Sequence, residues 1–195
     1  MKNFDEFINS QNDLPVLVKL AIQRYQFESI HPFYDGNGRT GRIVNVLHLM
    51  LNNLLDSPIL YLSGYIIKHK PAYYRLLQEV RVKDKWEEWI LFILRGVEQT
   101  SLETIDKSNR INALFNQTLV IAKKKSPRVY SKELIEHLFV HPYTKIEYIL
   151  SALQVDRKTA TKHLKEIKKV GILKSEQKWK EVIYVNTKLY ELLRK

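Results

Sequence analysis

The chain contains no cysteine, which excludes disulfides, thiolate-held zinc and a cysteine nucleophile. It also lacks long apolar runs. No stretch approaches the roughly 18 to 20 apolar residues that span a bilayer, and the opening MKNFDEFINS has none of the uninterrupted apolar character of a signal peptide. No membrane contact is expected, and the chain reads as cytoplasmic. There is no internal repeat, and the only low-complexity segment is the triplet Lys123, Lys124, Lys125.

What is present is enough for a core of ordinary size, because 195 residues can hold one domain or two. The net charge of +11 is unevenly placed. Residues 1–122 carry 14 Lys+Arg against 13 Asp+Glu, whereas residues 123–195 carry 18 against 8. Two electrostatic halves imply two functional parts, and the basic, proline-containing KKKSPRVY (123–130) is the expected linker between them.

Asn12 or Asp13 can cap a helix beginning near Pro15, with Leu14, Leu17, Val18, Ala21, Ile22 and Tyr25 at helical spacing. Pro32 ends it and is expected to hold His31 extended. After Arg42 almost every position to Leu55 is apolar, which predicts a central, buried helix. A turn at Ser57-Pro58 leads into a further helix, Pro71 starts another, and long helical periodicity runs from Trp86 to about Ala122. The second half offers helical patterns at 131–139, 144–153 and 156–170. Gly171 ends the third, and a hairpin follows in which Ile172 and Leu173 face Val182, Ile183 and Val185. The expected fold is mainly α: a helical bundle over 1–122, then a small α+β winged helix-turn-helix over 131–195.

The twelve residues HPFYDGNGRTGR, His31 to Arg42, concentrate the chemistry. A helix starting near Gly38 offers unpaired amides and the positive end of its dipole, and Gly36 and Gly38 allow the backbone to approach a ligand closely. Asn37 can add an amide donor. Arg39 and Arg42, three apart, can offer fork-shaped donors from nearly one face. Asp35 at the mouth of the loop suits Mg2+, which is held by one or two carboxylates plus the substrate's phosphates. The His31 imidazole suits general-base work near neutrality. Singly, each residue also fits a solvated turn. Together they suit attack by a hydroxyl on a nucleotide phosphorus.

The same stretch resembles the signature of the Fic family, H-P-F-x-[DE]-G-N-G-R-x-x-R, and every specified position is matched. The surrounding YQFESIHPF and YLSGY…YYRLLQEVR resemble Fic proteins that carry a C-terminal winged helix. The resemblance implies a protein adenylyltransferase that moves AMP from Mg2+-bound ATP to a Ser, Thr or Tyr hydroxyl of a protein. His31 would be the base, Asp35 the metal ligand, and Gly36, Asn37, Gly38, Arg39, Thr40, Gly41 and Arg42 the nucleotide-binding segment. Phe33 would anchor the loop in the core, and Tyr73 would lie near the base or ribose. Family members usually carry an upstream β-hairpin flap and often an inhibitory helix with the pattern [ST]-x-x-x-E-[GN]. Here the 30 residues before His31 read as helix and loop, and no glutamate is followed by Gly or Asn. The sequence thus resembles the C-terminal part of a longer member. Removal of AMP by the same site is an alternative reaction.

In the basic half, DRKTATKHLKEIKKV reads as a recognition helix. Arg157, Lys158, Lys162, Lys165, Lys168 and Lys169 would meet phosphates, and Thr159, Thr161 and His163 would reach base edges. Lys174, Lys178 and Lys180 could meet flanking phosphates. The alternative readings are a DNA-binding regulator whose first part senses nucleotide, and a lysine-rich domain that binds protein or forms a homodimer. The remaining histidines show no metal-ligand spacing.

Overall fold

The computed structural model describes residues 1–10, 13–179 and 181–194. Among these are ten helices and three short strands. Two compact units are formed, Met1–Thr104 and Ile105–Lys195.

The first unit contains α1 (Lys2–Asn9), α2 (Val16–Ile30), α3 (Asn37–Leu51), α4 (Leu62–Lys68), α5 (Lys70–Lys83) and the first part of α6 (Trp86–Lys125). Helix α2 starts at Pro15, whose carbonyl accepts from Lys19 N–H at 3.0 Å, and no side chain caps it. Asp13 is therefore not the expected cap, and Asn12 lies outside the described residues. Leu20, Ala21, Leu49, Leu76, Val80, Trp89 and Ile93 form the core. The Trp89 indole donates to the Ala21 carbonyl at 2.8 Å, so α6 and α2 are joined by a buried hydrogen bond as well as by packing.

Two glycines set how closely helices approach. A methyl group on Gly41 would lie 3.1 Å from the Arg24 guanidinium and 3.2 Å from the Phe27 ring, which brings α3 against α2. One on Gly96 would lie 2.7 Å from Tyr65 and 2.9 Å from Leu62, which brings α6 against α4. Helix α3 departs from the buried helix its sequence predicts. It buries Asn45, His48 and Leu49 but leaves Ile43, Leu47 and Leu51 59%, 51% and 81% exposed. Apolar residues lie all round it, yet only one side meets a neighbour among the described residues.

In the second unit α6 runs on to Lys125, and Phe115, Leu119 and Ala122 pack into that unit's core. The boundary expected at 123–130 from composition is thus not where the units divide. The exposed lysines there stand in the last turn of a helix whose other face is apolar, and composition alone does not separate that from a linker.

Next come α7 (Lys132–Val140), β1 (Tyr143–Thr144), α8 (Ile146–Leu153), α9 (Arg157–Lys169), β2 (Lys174–Lys178), β3 (Glu181–Val185) and α10 (Thr187–Arg194). The sheet is antiparallel in the order β1-β3-β2. This is a winged helix with two elements the sequence did not reveal, β1 and α10. Helix α9 closes through Gly171 at φ 80°, with Gly171 N–H donating to the Lys168 carbonyl and Ile172 N–H to the Ile167 carbonyl. That closure drops Ile172 and Leu173 into the core ahead of β2, so the expected pairing is shifted: Lys174 pairs with Val185 and Gln177 with Val182. Strand β2, KSEQK, is polar because it is a sheet edge.

Candidate active site

The signature loop joins α2 to α3. His31 terminates α2 in the left-handed region, at φ 49° and ψ 57°, with its N–H donating to the Phe27 carbonyl at 3.1 Å. It is therefore not extended. A residue before proline avoids the right-handed helical region, and histidine is among the residues that enter the left-handed one most readily.

Asn37 sits at the centre of the loop and is buried. Its side-chain oxygen accepts from Phe33 N–H at 2.9 Å and its amide donates to the Phe33 carbonyl at 2.5 Å. Both ends of the amide bond the loop's own backbone, so Asn37 holds the loop, and one of its two amide N–H groups is used in doing so. Phe33 itself is 46% exposed, with its ring centre 6.4 Å from that of Phe27. The expected core anchor is thus Asn37 and not the Phe33 ring.

Gly36 precedes α3 at φ 88°, a conformation open to glycine without strain. The first helical hydrogen bond is Thr40 N–H to the Gly36 carbonyl, at 2.9 Å. The amides of Asn37, Gly38 and Arg39 precede it and have no acceptor within the helix, and no side chain caps them. Asp35 Oδ1 accepts from Gly36 N–H at 2.7 Å, one residue outside the helix, and Oδ2 accepts from Arg39 at 3.0 Å. A methyl group on Gly38 would meet no protein atom within 4 Å. The helix start is therefore an open cradle of donors, with the positive end of the α3 dipole behind it.

His31, Tyr34, Asp35, Gly36, Asn37, Gly38, Arg39 and Arg42 line one shallow cleft of about 320 Å³. Of these, Tyr34 was not singled out in the sequence, since it fills a position the signature leaves unspecified. Arg39 and Arg42 do not point alike: Arg39 folds back on Asp35, while Arg42 donates to the Ser63 hydroxyl of α4 at 3.3 Å. Ser63 is a further residue that local spacing does not connect to the loop. Thr40 is half-buried and Gly41 is buried against α2, so Gly41 serves helix packing.

Tyr73 lies apart from the cleft. It is buried among Trp89 and Phe92, and its hydroxyl accepts from Arg24 Nε at 3.2 Å. Burial pushes its phenol up to about 12. The expected contact with a base or ribose is not made by this core residue. Arg24 also pairs with Glu28 at 2.7 Å, and its Nη1 is enclosed without a partner.

Asp35 is the one carboxylate lining the cleft. Among the described residues no three or more His, Asp and Glu side chains gather around one point. The donor set fits a cation held by a single carboxylate and by a ligand's own phosphates, with the Arg39 contact giving way.

The second group of expected residues lies on α9. Arg157, Lys158, Thr161, Lys162, Lys165, Glu166 and Lys169 line a shallow groove of about 640 Å³. Thr159 does not reach outward as expected, because its hydroxyl donates to Asp156 at 2.6 Å; that of Thr161 donates to the Arg157 carbonyl at 2.7 Å. His163 is half-buried with Nδ1 enclosed, and burial lowers its pKa. Lys180 lies outside the described residues. His137 contacts the Thr144 hydroxyl at 3.2 Å. No helix among the described residues is long and apolar enough to cross a membrane.

Residues 1–49 match the family model described as Fic/DOC family, and residues 114–189 match that of the C-terminal domain of SoFic-like protein adenylyltransferase. A curated relative from Aquifex aeolicus (strain VF5), described as a probable protein adenylyltransferase, is 27% identical over 181 residues, covering 89% of this chain and 50% of that protein. A solved Fic family protein from Desulfovibrio desulfuricans G20 aligns with TM-score 0.46 and 20% identity, over 93% of this chain and 52% of that one. The chain thus spans about half the length of these relatives. The first match contains the whole signature loop and most of α3, and the second covers the winged helix with the end of α6. The two matches stand in order on one polypeptide, a Fic/DOC family segment followed by a C-terminal domain like that of SoFic-like protein adenylyltransferases.

Proposed function

We propose that this chain carries the nucleotide site of a protein adenylyltransferase, which moves AMP from ATP to a Ser, Thr or Tyr hydroxyl of a protein. The observation that carries the reading is the uncapped start of α3, where three free amides share one cleft with His31, Asp35, Arg39 and Arg42. Such a set of donors is more than one phosphate needs and suits a polyphosphate.

In this reading the Asn37, Gly38 and Arg39 amides and the Arg42 guanidinium hold the phosphates, and Tyr34 borders the cleft. His31 accepts the proton of the target hydroxyl as its oxygen bonds to the α-phosphorus. The bond from that phosphorus to the bridging oxygen breaks, and pyrophosphate leaves with its charge held by Arg42 and the helix amides. Asp35 would hold Mg2+, which when bound neutralises phosphate charge. Arg39, released from Asp35, then turns to the phosphates.

The test is incubation of the full chain with Mg2+, labelled ATP and a lysate of the cell that encodes it. Label should enter protein, and His31→Ala should lower the rate by roughly 10²-fold or more, the usual size of a general-base contribution, while ATP binding stays within about twofold. The reading fails if ATP does not bind, or if His31→Ala transfers label as fast as the parent chain.

A further inference from the structure

The nucleotide site makes no use of α9 or the wing, and the unit that holds them carries the chain's whole net charge. The unit Ile105–Lys195 holds 20 Lys+Arg and nine Asp+Glu, whereas Met1–Thr104 holds twelve of each. The excess has a definite address. Lys158, Lys162, Lys165 and Lys169 recur every three or four residues along the exposed side of α9, opposite the buried Ala160, Leu164 and Ile167. Lys169 pairs with Glu166 and Arg157 with Glu147, at 2.6 and 3.2 Å. Lys158, Lys162 and Lys165 carry no ion pair among the described residues, so three ammonium groups stand on one face without a direct acidic partner.

The wing adds to this. Lys174 and Lys178 are exposed on the edge strand β2, and Trp179 at its tip is 99% exposed at φ 57°. The other tryptophans, Trp86 and Trp89, are half-buried and buried. A fully exposed indole beside lysines is an aromatic wedge next to point charges, the combination that meets a nucleic-acid groove.

We propose that α9 and the β2–β3 wing bind duplex DNA through its phosphates, without reading its sequence. An α-helix fits the B-form major groove, whereas the A-form major groove of RNA is too narrow to admit one. An acidic protein partner would need a cluster of apolar anchors to gain affinity, and Trp179 is the one large apolar side chain exposed on α9 and the β2–β3 wing among the described residues. Sequence independence follows from what the same face lacks. The hydroxyls that could address base edges, on Thr159 and Thr161, are spent within the helix and its cap. Arg157, the one guanidinium on the face, is tied to Glu147. Lysines remain, and these place phosphates without distinguishing bases.

The experiment is anisotropy of the full chain with two labelled duplexes of about 20 base pairs and unrelated sequence, at roughly 50 and 200 mM NaCl. A double-stranded RNA of the same length and a polyglutamate peptide serve as competitors. Both DNA duplexes should bind within about threefold of each other and weaken about 100-fold over that salt range, as expected for contact with some four phosphates. The triple substitution Lys158→Ala, Lys162→Ala, Lys165→Ala should leave helical circular dichroism unchanged, lower affinity by at least about tenfold at low salt, and reduce the salt slope by roughly 2 to 3. DNA should quench indole emission in the parent chain but not in Trp179→Phe. Absence of binding at low salt, unchanged affinity of the triple variant, or stronger competition by RNA or polyglutamate overturns the proposal. A preference of about 100-fold for one duplex overturns its sequence independence.

Discussion

The starts of α3 and α9 share one feature in sequence, an aspartate just ahead of a helix whose first turns carry basic residues, and they differ in the structure. At α9, Asp156 is the N-cap: its carboxylate accepts from Lys158 N–H at 2.8 Å and Thr159 N–H at 3.0 Å and from the Thr159 hydroxyl. These bonds hold its pKa below the usual carboxylate range. At α3, one glycine separates Asp35 from the helix, so the carboxylate reaches only Gly36 N–H and Arg39 and the helix amides stay open. One residue of spacing thus decides whether a helix start consumes its own donors or offers them. The first arrangement stabilises a small domain, and the second leaves a place for a phosphate.

The largest expected effect comes from altering Gly36 and Gly38 separately. Gly36→Ala puts a Cβ at φ 88°, which costs about 1–2 kcal/mol of left-handed strain and turns the cradle amides away from a ligand. Gly38→Ala adds a methyl where no protein atom lies within 4 Å, at a helical position where alanine is favoured. The first variant should therefore lose both thermal stability and ATP affinity. The second should keep or gain stability while ATP affinity falls about tenfold, because the methyl enters the space a phosphate would use. Equal ATP affinity in parent and Gly38→Ala, read by calorimetry, would show that the open amides of α3 are not the anion site.

A smaller effect tests the other helix. Asp156→Ala removes the cap and leaves α9 open in the manner of α3. Amides of the first turn of α9 should exchange with solvent faster, and the second unit should unfold at lower temperature, with the first unit's exchange unchanged. Because a carboxylate leaves the neighbourhood of Lys158 and Lys162, duplex affinity at low salt should rise rather than fall. A fall would mean that the order of the helix start matters more to the contact than its charge.

How much of this was legible follows from the range of each interaction. The limits of α2, the loop and the capped start of α9 are set by neighbours within four residues, and Pro15, Pro32, Gly36 and Asp156 announce them. The cleft was legible for the same reason, since all eight of its lining residues fall in one twelve-residue motif and seven of them at its specified positions. What could not be read depends on distant partners. Tyr73 is a core residue because Arg24 and Trp89 meet it, and Ser63 joins the loop because Arg42 crosses 21 positions to reach it. Asn37 offered a donor in the sequence, and only the fold of the loop shows that its amide also bonds the Phe33 N–H and carbonyl. The exposed flank of α3 misled in the opposite direction, because an apolar helix states its need for neighbours and not whether they are present.

The smallest effect is a dependence of the first unit on pH. His48 is buried on α3 and its Nε2–H donates to the Val16 carbonyl at 3.0 Å. Burial outweighs that bond and, with the charge of Lys19, lowers the His48 pKa below 6.5. In the folded chain the ring therefore stays neutral over a range where the unfolded chain takes up a proton. The contribution of His48 is fully present above about pH 6.5 and declines as pH falls toward its folded value. Trp86 and Trp89 belong to the first unit, so in a Trp179→Phe background their shared emission during urea unfolding reports that unit. Its midpoint should fall between pH 7.5 and about pH 5.5, and His48→Gln should flatten the fall while lowering the midpoint at the higher pH, where the neutral ring packs best. An unchanged slope in His48→Gln would assign the pH dependence to other groups and leave the buried end of α3 without a titrating residue.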